Sequence, residues 1–237
     1  MINFQLLKNL KVRHEKFVEA AAQGDLDLLK RLLLLKQEGE IDVNWVIHRE
    51  FRGTTRCLTV KHATALLRAV ACNQRLSVIR FLLQHGADVN ARDDDGWSAL
   101  IFASYLGNVP TMRLLMDDGA NLEAKTTSGC CPGHTPLLMA VSFGGDDAML
   151  LLLIRGANLE AKDNIGNTAL IRAASSGETP MVRALLDKGA DINARNYLNE
   201  TALAVASRNE HIETVRTILR RGKADRSGCH HFLCKIY

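Results

Sequence analysis

The chain has 237 residues, of which 47% are hydrophobic, 5% aromatic and 24% charged. This apolar content argues against a globally disordered chain, and no apolar run approaches the roughly 18 residues that a membrane span requires. With 30 basic and 26 acidic residues, the formal charge is +4, too small to indicate the concentrated basic face of a nucleic-acid-binding domain.

The cysteines and the start of the chain bear on its compartment. Six cysteines without regular spacing favour a reduced protein over a disulfide scaffold. The first 16 residues interrupt their apolar side chains with charges, unlike a secretory signal peptide. We therefore expect an intracellular, cytoplasmic protein. A nuclear location stays open, as does the host cytosol if the chain is a secreted effector.

The first predicted elements lie in residues 14–44. Residues 17–24 form an Ala-rich stretch that ends in glycine, and a leucine-rich stretch with helical spacing follows. The segment therefore predicts two short helices joined by a turn.

A long connection, residues 45–62, comes next. Asn44 and Thr64 are 20 positions apart. The equivalent asparagine and threonine later in the chain, Asn193 and Thr201, are only 8 positions apart, so 12 residues are inserted here. The segment interleaves basic residues (His48, Arg49, Arg52, Arg56, Lys61, His62) with apolar ones (Trp45, Val46, Ile47, Phe51, Leu58, Val60). One interpretation is an enlarged hairpin that covers the two helices predicted in residues 14–44, which form the first repeat of the chain. The other is a basic, aromatic finger that contacts an acidic partner or a phosphate.

Five units of nearly constant length follow. Each opens at a hydroxyl residue that can cap a helix: Thr64, Ser98, Thr135, Thr168 and Thr201. Each closes at a glycine, with spacings of 33, 37, 33 and 33 residues: Gly86, Gly119, Gly156, Gly189 and Gly222. Because two independent landmarks keep nearly the same step, the sequence predicts a repeat built from two helices.

These units resemble the ankyrin repeat. The resemblance rests on Thr135-Pro136-Leu137, on the Gly-Ala-Asp tails at 86–91 and 189–194, and on the turns at 93–98 and 163–168. It implies an all-α ankyrin-repeat solenoid of about six helix-turn-helix repeats with hairpin-like turns, in one domain over 1–237. The expected parts are a degenerate repeat 14–44, the inserted finger 45–62, repeats 63–94, 95–125, 126–162, 163–195 and 196–226, and a tail 227–237.

The sequence departs from the family pattern at several positions. Asn199 stands where the turn usually has glycine, which is tolerable because Asn visits the left-handed backbone region. Glu123 and Glu160 stand where the repeat tails carry asparagine. The family's histidine after Thr-Pro-Leu is absent from all five units.

Two cysteine-containing segments are candidates for metal binding. A four-residue insertion within 126–134 holds Cys130, Cys131 and His134, and we interpret it as a longer loop. In the tail, the cramped spacing favours a terminal cap over a zinc site; its possible ligands are Cys229, His230, His231 and Cys234. We predict no cofactor, no metal and no catalytic residue.

In ankyrin repeats the turns and first helices line a concave groove, so the resemblance implies where a partner would bind. The candidates are Arg92, Asp95, Trp97, Tyr105, Leu106, Phe143, Lys162, Ile165, Arg195, Tyr197, Leu198 and Arg208. Four of them are aromatic residues that we expect to be solvent-exposed on one surface: Trp97, Tyr105, Phe143 and Tyr197. Aromatic side chains together with Arg are typical of binding hot spots.

Three hypotheses of different classes follow. The first is a protein-protein interaction module, not an enzyme, that acts as a scaffold or adaptor and is monomeric on its own. It is either a host protein or a bacterial effector. The second is binding of nucleic acid or phospholipid headgroups through the 45–62 finger and the row formed by Arg92, Lys162 and Arg195, with a steep salt dependence. The third is an enzyme or metalloprotein centred on the Cys/His tail.

Overall fold

The computed structural model describes residues 4–34, 41–52 and 59–221, without the side chains of 4–9, 48–52 and 59–61. The Cys229–Cys234 tail and its zinc alternative lie outside the described residues. So do Arg56 and Leu58 of the inserted segment and the predicted closing Gly222.

Six consecutive helix pairs make up most of the described chain. They are α1 (Phe4–Gln23) and α2 (Leu26–Leu34); α3 (Ala65–Ala71) and α4 (Leu76–Gln84); α5 (Ala99–Tyr105) and α6 (Val109–Asp117); α7 (Pro136–Met139) and α8 (Asp146–Ile154); α9 (Ala169–Ser176) and α10 (Thr179–Asp187); α11 (Ala202–Arg208) and α12 (Ile212–Arg220). A π-helical turn, Ala140–Gly144, continues α7. The predicted class, an all-α array of about six helical repeats, is confirmed.

The contacts divide the chain into two compact units. The first unit comprises residues 1–103 and 110–121, and the second comprises residues 104–109 and 122–237. The sequence-based prediction of one domain with the repeat boundaries given above stays a prediction.

The first helices of the five regular repeats begin where the hydroxyl residues predict. In each, the hydroxyl oxygen accepts a hydrogen bond of 3.3–3.4 Å from the backbone N–H three residues later. This contact satisfies one of the N–H groups that a helix start leaves without an intrahelical partner. Pro136 occupies the first position of α7, where its missing N–H costs nothing.

Small side chains set the packing inside each unit. In the second unit α11 packs on α9 and α12 on α10, with Ala173, Ala174 and Ala206 fully buried. In the first unit α1 packs on α3, where Ala21 and Ala69 are fully buried. Alanine lets the helices approach closely, so the core forms from Ala and Leu with few aromatic residues.

The inserted segment forms a β-hairpin in the first unit. Strand β1 (Ile47–Arg52) pairs antiparallel with β2 (Thr59–Ala63), so the segment is a hairpin, and its role as a cover or as a binding finger stays a prediction. Beside its base, the ring of Trp45 lies 5.2 Å from that of His14 in α1. The Nδ1 atom of His62, near the end of β2, contacts the carboxylate of Asp94. Both contacts lie near the base of the hairpin, and they attach it to the first repeat and to the turn of the third.

Side chains at one position of the repeat tail connect successive turns. In the first unit Asn90 donates to the carbonyl of Gly119 (3.2 Å) and accepts from the N–H of Asn121 (2.8 Å). Asn44 makes the equivalent pair of bonds to the next tail. In the second unit Glu123 and Glu160 accept the corresponding N–H bonds at 2.8 and 2.9 Å, and a carboxylate has no N–H with which to donate.

Candidate functional site

The turn at 93–98, in the first unit, corrects one expectation. Trp97 is only 4% exposed, whereas the sequence analysis expected an exposed groove residue. Its indole stacks on the ring of Phe102 in α5, with 4.8 Å between centroids. The expectation of exposure was wrong because Trp97 has an aromatic partner on the adjoining helix. Nearby, Arg92 donates to the carbonyl of Gly96 at 3.0 Å, and Asp95 is half-buried.

The same turn buries a carboxylate. Asp93 Oδ1 accepts from the backbone N–H groups of Asp95 (3.1 Å) and Trp97 (2.8 Å). Asp93 Oδ2 is buried and has no hydrogen-bond partner among the described residues. Burial raises the pKa of Asp93 to about 6, and the negative charges of Asp95 and Asp94 add to this against the two N–H bonds.

The equivalent turn at 163–168, in the second unit, has a balanced carboxylate. Asp163 Oδ1 accepts from the N–H groups of Ile165 and Asn167, both at 2.9 Å. Its Oδ2 lies 2.7 Å from Nη2 of Arg172 in α9 and accepts from Nε at 2.9 Å. The guanidinium therefore supplies the counter-charge that a buried carboxylate needs.

A chain of contacts in the second unit connects several predicted groove residues. The rings of Tyr105 and Phe143 lie 4.9 Å apart, and Phe143 and Ile165 line one cavity. Tyr197 donates its N–H to the carbonyl of Ile165 at 3.1 Å, and Lys162 Nζ lies 5.9 Å from the centre of the Tyr197 ring. Residues from four successive repeats thus form one continuous surface.

Much of this surface is apolar and open to solvent. Phe143 is 53% exposed, Ile165 54%, Tyr197 71% and Leu198 72%, so the expected exposure of Phe143 and Tyr197 is confirmed. Tyr105 and Leu106 are half-buried. Exposed large apolar side chains that adjoin one another are typical of interaction surfaces, whereas single ones are normal.

The π-helical turn sets the position of Phe143. The N–H of Gly145 donates to the carbonyl of Ala140 at 3.0 Å, five residues back. A Cβ on Gly144 would overlap the carbonyl oxygen of Ser104, and one on Gly107 would lie 2.5 Å from the carbonyl oxygen of Gly144. Only glycine allows this close backbone approach, which sequence reasoning missed although the Gly144-Gly145 pair was the available signal.

Two cavities flank Phe143. The first, of about 230 Å³, is lined by Cys130, Cys131, Pro132, His134, Phe143, Asp163, Asn164, Ile165 and Arg172. The inserted loop 126–134 therefore forms one wall of a cavity. Burial lowers the pKa of His134, and the nearby positive charge of Arg172 lowers it further. The Thr126 hydroxyl, which donates to the carbonyl of Cys131, fixes the loop.

The second cavity is also lined by Phe143 and measures about 300 Å³. It is lined by Val141, Ser142, Phe143, Gly145, Asp146, Ser176, Glu178 and Met181. These residues come from the loops that join α7 to α8 and α9 to α10, and from the start of α10. Its acidic residues, Asp146 and Glu178, are not among the predicted binding residues.

The remaining basic candidates are engaged within the protein. Lys162 donates to the carbonyl of Arg195 at 2.9 Å, and Arg195 donates to the carbonyl of Asn199 at 2.7 Å. Arg208 forms an ion pair with Glu200. Asn199 has φ of 61°, so asparagine replaces the turn glycine in the left-handed conformation as predicted.

Paired helices that begin at hydroxyl caps and end at glycine turns define a helical repeat protein. The family "Ankyrin repeats (3 copies)" matches residues 17–126 and 137–227, which is more than half of the chain. The chain therefore belongs to the ankyrin-repeat family, whose repeats are protein-protein interaction modules.

Curated relatives match parts of the chain. The mouse B-cell lymphoma 3 protein homolog is 33% identical over 109 residues, which is 46% of this chain and 20% of the relative. Mouse protein phosphatase 1 regulatory subunit 12A is 30% identical over 84 residues, 34% of this chain and 8% of the relative. Rat ankyrin repeat and SAM domain-containing protein 6 is 34% identical over 68 residues, 28% of this chain and 8% of the relative. The matches thus span a fifth or less of these relatives' length.

Within the described part of the chain, none of the helices combines the length and apolar character needed to cross a bilayer.

Proposed function

We propose that the chain is a scaffold or adaptor that binds a partner protein through the surface of the second unit centred on Phe143, Ile165, Tyr197 and Leu198. The observation that carries this proposal is a series of residues from Tyr105 to Tyr197, joined by a ring contact, a shared cavity and a hydrogen bond, with four large apolar side chains at least 53% exposed. Burying them against a partner would release about 25 cal/mol per Å² of apolar surface. One relative is, by its name, a regulatory subunit of a phosphatase, a role that requires a protein partner.

The rigidity of the surface also supports binding. The backbone of Tyr197 is held by its N–H bond to Ile165, and Phe143 lies on a turn whose backbone a close glycine contact fixes. A preorganised backbone reduces the conformational entropy that is lost on binding. Because ankyrin repeats are protein-protein interaction modules, we propose a binding role rather than a catalytic one, in a chain that is monomeric on its own.

Site-specific crosslinking tests the proposal. A photoreactive phenylalanine analogue at Tyr197 should crosslink the partner in cells of the source organism. The same analogue at Ile154, which is 69% exposed in α8 but outside this surface, should not. Equal crosslinking from both positions would reject the surface as the binding site.

Substitution gives the energetic test on the partner identified in this way. A Phe143→Ala/Tyr197→Ala variant should weaken binding by about 2 kcal/mol or more, roughly 30-fold. The control Ile154→Ala should leave affinity unchanged. Since Tyr197 is 71% exposed, its replacement should change the free energy of unfolding by less than about 0.5 kcal/mol, and urea denaturation of the double variant shows whether the Phe143 change leaves the fold intact.

The alternative of nucleic-acid or headgroup binding has less support. Arg92, Lys162 and Arg195 each donate to a backbone carbonyl, which occupies part of their capacity for phosphate oxygens. Affinity that falls steeply between 50 and 200 mM salt, as is typical of phosphate contacts, would favour this alternative over the protein surface.

A further inference from the structure

The cavity of about 300 Å³ beside Phe143 combines an apolar wall with an acidic rim. Val141 and Met181, at 4% and 6% exposure, supply buried apolar surface, and the half-exposed Phe143 ring adds an aromatic one. Asp146 and Glu178 lie at the rim and are exposed. A ligand that fits must therefore be apolar along part of its length and polar at its end.

The rim is negatively charged, and no basic side chain lines the cavity. Neither Asp146 nor Glu178 forms an ion pair or a side-chain hydrogen bond with another described residue, and none of the residues that line the cavity is basic. The starts of α8 and α10 lie at this rim, and each contributes a partial positive charge of about 0.5. Two carboxylates exceed that sum, so the cavity attracts a cation.

A polar group inside the cavity also lacks a partner. The Oγ atom of Ser142 is buried and has no hydrogen-bond partner among the described residues. The hydroxyl of Ser176 lies on the same lining. A ligand with several donors can pair with the exposed Ser176 hydroxyl, whereas a purely apolar ligand would cover it without a partner.

We propose that this cavity accepts the arginine side chain of a partner protein segment bound on the neighbouring surface, so that this inference rests on the proposed function. The aliphatic stem of arginine matches Val141 and Met181, and its planar guanidinium stacks on an aromatic ring such as Phe143. Its five N–H donors suit the two carboxylates and the serine hydroxyl. Lysine fits less well, because its compact ammonium is more strongly hydrated and does not stack.

An NMR titration of the full chain tests the inference without the partner. The probe is N-acetyl-arginine-N-methylamide, and the matched control probe is the citrulline equivalent, which keeps the shape but has no charge. We expect saturable shifts of the amide signals of residues 142–146 and 176–178 with the arginine probe. Binding of the citrulline probe should be at least tenfold weaker.

Two variants complete the test. Asp146→Asn/Glu178→Gln should weaken arginine binding at least tenfold. The control Asp118→Asn/Glu210→Gln removes the same charge from two exposed residues outside the cavity and should bind arginine as the wild type does. Equal binding of citrulline, no saturable shift at these amides, or unchanged binding by the first variant would each overturn the inference. If any of these occurs while position 197 still crosslinks the partner, the proposed function stands and only the arginine subsite is wrong.

Discussion

The turns at 93–98 and 163–168 each have an aspartate at the same point, five residues before the cap of the next helix. The two turns differ in whether a basic side chain pairs with that aspartate. In the second unit Arg172, four residues after the cap, pairs with Asp163. In the first unit that position holds Phe102, which stacks on Trp97, and Asp93 Oδ2 has no described partner. The repeat can therefore stabilise the same turn with an apolar or with a polar environment.

A third turn shows which property the position requires. Asn196 stands there in the last repeat, and its Oδ1 accepts from the N–H groups of Leu198 (3.0 Å) and Glu200 (2.9 Å). Its amide donates to Asn167 Oδ1 at 3.1 Å. The turn thus needs an oxygen acceptor and not a charge. Where a charge is present without a cation, as at Asp93, the pKa rises.

The largest effect should come from the apolar turn. Trp97→Ala removes a buried indole stacked on Phe102, and we expect a loss of about 3–5 kcal/mol in the free energy of unfolding. Urea denaturation followed by circular dichroism measures it. Tyr197→Ala, at an exposed aromatic residue, is the control. A loss below about 1 kcal/mol for Trp97→Ala would contradict the buried position.

The polar turn should depend on its ion pair. Arg172→Leu leaves the carboxylate of Asp163 buried without a cation. Because the Arg172 side chain is 31% exposed, the cost should be about 2–3 kcal/mol, below that of breaking a fully buried pair. Arg183→Leu, at an exposed position of α10, should change stability by less than about 0.5 kcal/mol. If both variants lose equally little, the ion pair does not stabilise the turn.

The smallest effect should come from Asp93, and it should depend on pH. Its folded pKa of about 6 lies above the ordinary value of 3.8, so its stabilising contribution is complete below about pH 4 and is lost as pH rises through about 6. Asp93→Asn keeps the acceptor and removes the charge. At pH 7 we expect the free energy of unfolding to rise by about 1 kcal/mol. This is the gain from no longer burying a charge, reduced by the cost of an unpaired amide.

Urea denaturation of wild type and Asp93→Asn at pH 4 and pH 7 checks this prediction. The gain should vanish at pH 4, where Asp93 is largely protonated. Asp163→Asn should instead destabilise at pH 7, since it removes the partner of Arg172. The same gain at both pH values would mean that the charge of Asp93 is not the cause.

The sequence predicted features that depend on local chemistry. The caps Thr64, Thr135, Thr168 and Thr201 are confirmed because capping involves only a hydroxyl and the backbone three residues on. The exposure of Trp97 was predicted wrongly because its burial depends on Phe102. The available signal was that Phe102, an aromatic residue, stands at the position where the fifth repeat has Arg172. The binding role of the groove residues stays a prediction.

The cavity with the acidic rim could not be predicted for a different reason. Asp146 and Glu178 are 32 positions apart in the sequence, and they line one cavity because neighbouring repeats align their loops. The π-helical turn that opens space beside Phe143 depends on the backbone of Ser104 meeting Gly144. No local pattern encodes a contact between two repeats.

The tail position that connects successive turns, held by residues such as Asn90 and Glu123, also determines where slow chemical damage can occur. Spontaneous deamidation of Asn90 would leave an acid that still accepts from the N–H of Asn121 but no longer donates to the carbonyl of Gly119. Asparagine is among the residues most prone to such damage. Glu123 and Glu160 hold the same position by accepting alone, and they have no amide to hydrolyse. Slow chemical damage at this position should therefore accumulate at the asparagines, Asn44, Asn90 and Asn193, while the connections made by the two glutamates persist.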